Sequence, residues 1–461
     1  MTGFDVKKRR NDIGLSQSKL ADITGIKQAR ISAYELGKFE LSIKEVNKII
    51  NHLEKIDDTA VLKLKKKRIQ KPQHIDSIIV QRNRRGYSVT KRNKEYLEVL
   101  ENLASQFINP PKTELKAVSF FAGCGGLCYG VKAAGFEIVA TNELVEDYKS
   151  IYKLNFPNAK FLPNDIQEIT KSDIETILKT HKTIDLMVGG PPCQGFSLAG
   201  KRNIDDKRNT LFEDYLKIAK QIQPKVILIE NVRLLTSMKD SNGSLVSERI
   251  LATFKKIGYK SMFYNVNAKD YGVPQHRERV IFIAVRKDLK RNPSIAETKY
   301  ENTTGLFNPN PPYFTFGDAV SDLEFLESGE SSMKDKFHKA VNHPEHVIRW
   351  LIDVPEGKSA HDNIDPNLRP LSGYNTTYKR QVWIEPAGTV TTTYGMISGC
   401  RNVHPIATRA LTTREALRLQ SFPDSFRLTG NDGTIRTVIG NAVPPLLGFE
   451  LAKFIKEIYI L

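Results

Sequence analysis

Cys193 stands in the stretch GGPPCQGFS, residues 189–197, where two prolines stiffen the backbone ahead of it and glycines leave little bulk around it. A cysteine filling a core would be expected inside an apolar helix or strand, whereas this one is presented at a strand end, in a rigid and open turn. A thiolate is a strong nucleophile when it is exposed and when a positive or dipolar environment favours it. Arg277 and Arg279, in QHRERV at 275–280, and the start of a following helix could supply that environment. Hydrolysis would need a histidine base with an orienting partner, and His276 has no evident Asp or Asn for that role. Glu230, in IENV, suits another task, because a protonated carboxylic acid can donate to a heteroaromatic ring nitrogen. Attack of a thiolate at C6 of a cytosine makes C5 nucleophilic only if N3 is protonated at the same time. Cysteine and glutamate at the mouths of adjacent strands are the pair this reaction needs.

A second constellation points to a bound small molecule. FFAGCGGL, residues 120–127, leaves a strand and enters a helix, so its glycines let the backbone approach a ligand closely. Dinucleotide and S-adenosylmethionine binders share such a turn. Glu143 ends the next strand, where an acid can accept both hydroxyls of a ribose. Gly123, Gly125 and Gly126 lack the third glycine of a pyrophosphate fingerprint, so a ligand without phosphates fits better. Cys124 and Cys128 lie four apart with no second ligand pair, and no metal site is expected.

These residues need a scaffold, and from Ala117 onward the pattern alternates strands and helices. AVSFFAG, EIVATNE, IDLMVGGPP, PKVILIENV and RERVIFIAVR read as strands, with YGVKAAGF and LFEDYLKIAKQIQ as helices between them. Strands apolar on both faces predict an α/β fold with a parallel, doubly wound sheet. Ligands of such sheets bind at the carboxyl ends of the strands. The glycine loop, Glu143, the 189–197 turn and Glu230 all fall there.

Residues 1–58 follow a different pattern of short helices. LSQSKLADITG has Ser16 as N-cap and Gly25 as stop, IKQARISAYELGK follows a tight turn, and SIKEVNKIINHLEKI is capped by Ser42. This helix, turn and second helix predict a DNA-binding helix-turn-helix, with a plain helical bundle for dimerisation as the other reading. Residues 59–114 read as a basic linker. Within it, 89–107 could form a helix with Tyr96, Leu97, Leu100 and Leu103 on one side; a flexible linker and an arm packed on the next domain are both open. At 461 residues with 40% hydrophobic composition, two or three domains are expected. Residues 1–114 carry 24 Lys and Arg against 14 Asp and Glu, so +10 of the formal +17 lies there and favours a polyanionic partner. Four cysteines and no apolar run of spanning length imply a reducing, cytosolic setting.

In chain order, FFAGCGGL, NE at 142–143, GGPPCQGFS, ENV at 230–232, QHRERV, RALTTREALRLQSFPD at 409–424 and GNAVPP at 440–445 resemble the blocks of cytosine-C5 DNA methyltransferases. The N-terminal pattern resembles the Cro/C1 type of helix-turn-helix. The resemblance implies a class I S-adenosylmethionine-dependent fold over 115–290, a target-recognition region at 291–400, and a return to the catalytic domain at 401–461. It makes Cys193 the nucleophile at C6 and Glu230 the residue that protonates N3 and holds the 4-amino group. Arg277 and Arg279 would contact the flipped cytosine and steady the catalytic turn, while Gln194 and Ser197 contact the strand. For S-adenosylmethionine it implies Phe121 as a stacking surface and Gly123, Gly125 and Gly126 as the opening for the methionine part. Glu143 would hold the ribose, Asp165 followed by Ile166 the adenine, and Pro191, Asn441 and Val443 would complete the pocket. Leu144 replaces the tryptophan common in the family, which keeps the position apolar. Lys27, Gln28, Ala29, Arg30, Ser32 and Ala33 would face the major groove. A bacterial restriction–modification role is implied, with a cognate endonuclease encoded nearby, a cytoplasmic location on the nucleoid, and an operator bound by the N-terminal domain. Two rival readings are a transcription regulator that keeps the transferase body for binding alone, and a tRNA cytosine methyltransferase. The intact Cys193, Glu230 and Arg277 disfavour the first, and the helix-turn-helix and the 291–400 insert disfavour the second.

Overall fold

The structure, a computed structural model, describes residues 2–12, 15–37, 39–54, 87–192, 211–239, 243–300, 312–399 and 401–461. It divides into two compact units, Met1–Ser77 and Ile78–Leu461. The first holds α1 (Gly3–Asp12), α2 (Gln17–Thr24), α3 (Gln28–Glu35) and α4 (Ile43–Glu54) around Val6, Leu20, Ile26, Ile31, Leu41, Ile49 and Leu53. Ser16 Oγ accepts from Lys19 N at 3.1 Å, and Gly25, at φ 68°, closes α2 with an N–H donated to Ala21 O. Beneath α3, the buried Glu35 carboxylate accepts from Arg10 Nε at 2.6 Å and from Gln17 Nε2 at 2.7 Å. That arrangement satisfies an ion pair that burial would otherwise make costly.

The second unit opens with α5 (Asn93–Ile108), whose Tyr96, Leu100, Leu103 and Phe107 are buried in the main core. Tyr96 Oη donates to Arg418 O at 2.6 Å, and the Phe107 ring stacks on Tyr129 at 3.8 Å. The packed arm is therefore the arrangement this stretch adopts. Strands β1 (Lys116–Phe120), β2 (Glu137–Thr141), β3 (Leu186–Gly189), β4 (Val226–Val232), β5 (Tyr259–Asn267) and β6 (Glu278–Arg286) form one sheet in the order β2-β1-β3-β4-β6-β5. Alternate residues face opposite cores. Leu186, Val188, Leu228 and Ile283 join one core with α5 and α6 (Gly126–Ala133), and Met187, Ile227, Ile229 and Phe282 join the other. α7 (Glu146–Asn155) lies with the first core, while α8 (Lys171–His181), α9 (Leu211–Ile222) and α10 (Val246–Lys256) supply the second.

The sheet is mixed rather than wholly parallel: β6 runs antiparallel to both β4 and β5. Residues 268–277 alone connect β5 to β6, too few for a helical crossover, so the pair folds back on itself. β5 had no reading in the sequence because it is an edge strand with many half-exposed positions and no continuous apolar run. The reversal matters for the site. It brings the start of β6, with Arg279 opposite Val232, to the carboxyl end of β4.

Among the described residues beyond β6, the α-helices are α11 (Phe316–Val320) and α12 (Glu345–Leu351), then α13 (Thr413–Leu419), α14 (Asp432–Asn441) and α15 (Pro445–Ile455). A small core of Val347, Leu351, Val354, Ala360, Ile397, Val403 and Ala410 is tied by buried Arg380, which donates to Leu351 O at 2.8 Å and Ala407 O at 2.7 Å. Residues Asp432–Ile460 are long and apolar enough to cross a membrane by composition. They form two helices parted at Ala442–Pro444, and 78% of the most apolar window is buried in the protein.

Candidate active site and nucleic-acid interface

The glycine loop begins where β1 ends. Phe121 takes a left-handed conformation at φ 55°, uncommon for a residue with a side chain, and Gly123 and Gly125 follow at 58° and 90°. A Cβ on Gly125 would lie 2.7 Å from the Phe156 ring, and one on Gly126 would lie 2.4 Å from Val443 O. At Gly123 a Cβ would meet nothing within 4 Å. The loop is thus closed against protein on its inner side and open at Gly123. Glu143 is buried at 7% exposure; Oε2 accepts from Gly123 N at 2.7 Å and Oε1 from Val145 N at 2.9 Å. Burial raises its pKa, and those main-chain N–H groups restrain the rise.

Asn142, quoted in the sequence only as part of a motif, proves to be structural. Its Nδ2 donates to Pro163 O at 2.6 Å and Asn164 O at 2.8 Å, fastening the 163–165 segment to the end of β2. Asp165 then caps a short turn by accepting from Gln167 N at 2.9 Å, and Ile166 is buried beside it. Leu144 is exposed, and Val443 lies against the glycine loop. Asn441, the last residue of α14, is exposed at the start of the Ala442–Pro444 break. Phe121, Gly123, Glu143 and Val443 therefore border one region, with Asp165 and Ile166 held to it through Asn142.

Glu230 is 8% exposed, with Oε1 2.8 Å from Arg279 Nε and no aligned hydrogen bond to that oxygen. A Cβ on Gly190 would come within 3.5 Å of Glu230 Oε2, so the backbone of the turn passes over the carboxylate. Asn231 Nδ2 donates to Pro191 O at 2.8 Å and pins the approach to that turn. Cys193, Gln194 and Ser197 lie outside the described residues. Arg277 differs from Arg279. At 1% exposure it donates to Val390 O at 3.2 Å, Gly440 O at 3.1 Å and Ala442 O at 2.8 Å, all backbone carbonyls. Its guanidinium is committed to main chain, whereas Arg279 meets Glu230.

In the first unit, Lys27, Gln28, Ala29 and Arg30 are exposed at the start of α3, Ser32 and Ala33 are half-buried, and Ile31 is buried. Arg30 forms a two-point pair with Glu45 of α4, at 2.6 and 3.2 Å, and lies 5.2 Å over the Phe39 ring. A charge-bearing edge on a helix packed by its opposite face can enter a groove of duplex DNA.

Residues 115–457 match the C-5 cytosine-specific DNA methylase family, and residues 6–57 match a helix-turn-helix family. Type II methyltransferase M1.HphI of Haemophilus parahaemolyticus is 35% identical over 346 residues, covering 74% of this chain and 86% of that protein. Type II methyltransferase M.Sau96I of Staphylococcus aureus is 30% identical over 454 residues, 98% of this chain and 96% of that one. The second likeness extends through the N-terminal helices. Among solved structures, one described as a DNA modification methyltransferase encoded within an E. coli prophage is similar at a TM-score of 0.59 and 24% identity. It covers 75% of this chain and 99% of its own, a likeness of fold.

Proposed function

The chain belongs to the C-5 cytosine-specific DNA methylase family and is a DNA cytosine-5-methyltransferase with an N-terminal helix-turn-helix domain; from that premise we propose how its own residues perform the transfer. The methyl donor is S-adenosylmethionine, which supplies an electrophilic methyl group on a sulfonium. The residues fit it. Glu143, fixed by Gly123 N–H and Val145 N–H, keeps lone pairs for a ribose, and the loop is open at Gly123. Phe121, Gly125, Gly126, Asp165, Ile166, Pro191, Asn441 and Val443 would border the rest.

The target cytosine leaves the helical stack, because its C6 is out of reach inside a duplex. Cys193 adds to C6 while Glu230 gives a proton to N3 and holds the 4-amino group. With S-adenosylmethionine bound, C5 would accept its methyl group; removal of the C5 proton by water then expels Cys193 as the thiolate, and the N3 proton returns to Glu230. Arg279 keeps Glu230 in place at the carboxyl end of β4. The observation that carries this reading is the juxtaposition of Glu230 with Gly190 and Pro191, the residues leading directly to Cys193. The Type II names of the relatives support a modification enzyme of a bacterial restriction–modification system; an endonuclease partner and a cytoplasmic location belong to the same proposal. The helix-turn-helix unit would bind an operator near the enzyme's own promoter.

A duplex carrying 5-fluorocytosine at the target tests the chemistry, because fluorine cannot leave as a proton. The intact chain should form a complex that survives denaturing electrophoresis, and Cys193→Ser should bind the duplex without forming one. An adduct retained in Cys193→Ser would remove Cys193 from the mechanism.

A further inference from the structure

Arg277 sits where side chains and backbone from distant parts of the second unit meet. Its side-chain partners belong to two segments far apart in the chain, the stretch 387–392 and the end of α14 with the break that follows it, while its main chain is tied to the end of β5 through Asn267 Oδ1 and Ala268 N. Gln275 works alongside it. Its Oε1 accepts from Val390 N at 2.8 Å, and its Nε2 donates to Leu419 O at 3.0 Å and Gln420 Oε1 at 3.0 Å. His276 N donates to Ala387 O at 2.7 Å, and Thr389 Oγ1 donates back to His276 O at 2.6 Å. Gly440 lets the segments touch, since a Cβ there would lie 2.3 Å from Thr392 N.

The charge of Arg277 is unusual in this setting. Burial and neighbouring Arg279 both disfavour it, and Glu230 supports it. Gly440 O is among the last carbonyls of α14, where the helix dipole presents partial negative charge, and Ala442 O follows just beyond the helix end. A planar guanidinium presents its donors in a fixed fork, so one side chain holds three carbonyls from two segments in set directions, a geometry that a flexible lysine ammonium does not fix.

We propose that Arg277 is a positioning residue that locks the 387–392 segment, near the end of the expected recognition region, to the 440–443 turn, so that one side chain sets the edge of that region and the wall of the methyl-donor pocket together. This rests on the reading that 440–443 borders that pocket. Arg279, two residues on, faces Glu230, so the same strand carries the lock and the support for the catalytic acid.

S-adenosylhomocysteine, the demethylated donor, is the probe. In the intact chain, its binding should slow amide hydrogen exchange at 440–443 and also at 387–393. In Arg277→Lys the protection at 387–393 should disappear, and the affinity for S-adenosylhomocysteine should fall about tenfold, with the circular dichroism spectrum unchanged. Protection confined to 440–443 in the intact chain overturns the lock, and that result stands even if Arg277→Lys fails to fold. Unchanged affinity and unchanged coupled protection in Arg277→Lys overturn it as well. Absence of protection at 440–443 in the intact chain overturns the pocket reading itself, and the lock with it.

Discussion

Glu143 shows how one side chain can be both a structural pin and a binding group. Its carboxylate accepts main-chain N–H groups of Gly123 and Val145, with that of Leu144 also directed at it, which fixes the carboxylate and still leaves acceptor capacity for a ligand hydroxyl. Glu143→Gln would turn an amide NH₂ toward one of those N–H groups, leaving a buried donor without an acceptor. The expected cost is about 1–3 kcal/mol of stability, with binding of S-adenosylhomocysteine weakened about tenfold or more. Thermal unfolding and calorimetric titration check the two effects separately. Wild-type affinity in this variant would remove Glu143 from the ribose site. Glu143 and Glu230 were legible in the sequence because acids at strand ends beside glycine turns are conspicuous. Arg277 was legible as a residue but not as a role, because its acceptors are carbonyls 113 to 165 positions away and carbonyls leave no trace in residue identity. Asn142 and Asn231 were hidden for the same reason, since both donate to backbone.

Elements with a local signal were readable, and those defined by distant partners were not. Ser16 and Gly25 bound α2 as cap and stop because both act within a few residues. The stripe of Tyr96, Leu100 and Leu103 announced α5, although it could not say whether that helix would be packed. β5 and the direction of β6 escaped, because sheet direction depends on the length of a connection that carries no residue signature. The stretch after β6 was opaque for a further reason. Buried arginine–carbonyl bonds such as those of Arg380 organise it in place of periodic apolar faces. α5 offers the clearest test at this scale. Tyr96 is fully buried and its hydroxyl donates to Arg418 O, so Tyr96→Phe should cost about 1 kcal/mol and Tyr96→Ala about 3–5 kcal/mol. Urea denaturation of the intact chain followed by tyrosine and tryptophan fluorescence measures both. Equal stability of Tyr96→Ala and wild type would show that α5 does not support the catalytic core.

The whole chain combines two compact units with an uneven charge. Catalysis needs one DNA-reading surface beside Glu230, yet the chain has a second DNA-binding domain with its own core of Val6, Leu20, Ile31 and Ile49. The surplus of +10 over residues 1–114, out of +17 overall, puts more than half of the net positive charge in the first quarter of the sequence. If the helix-turn-helix unit serves an operator rather than the methylation target, the two functions should separate. A chain starting at residue 87 keeps α5 and the whole sheet, and it should methylate its target in vitro at nearly the rate of the intact chain. The same chain should lose protection of the upstream DNA in footprinting. Its salt dependence on that DNA should become shallower by about 0.9 in log–log slope for each phosphate contact removed. Within the intact chain, Arg30→Ala should weaken the upstream complex by about 1–3 kcal/mol while target methylation holds, because Arg30 and its partner Glu45 both belong to the helix-turn-helix unit. Joint loss of methylation and footprint in the truncated chain would mean that the N-terminal unit takes part in target binding, and the regulatory reading would then fall.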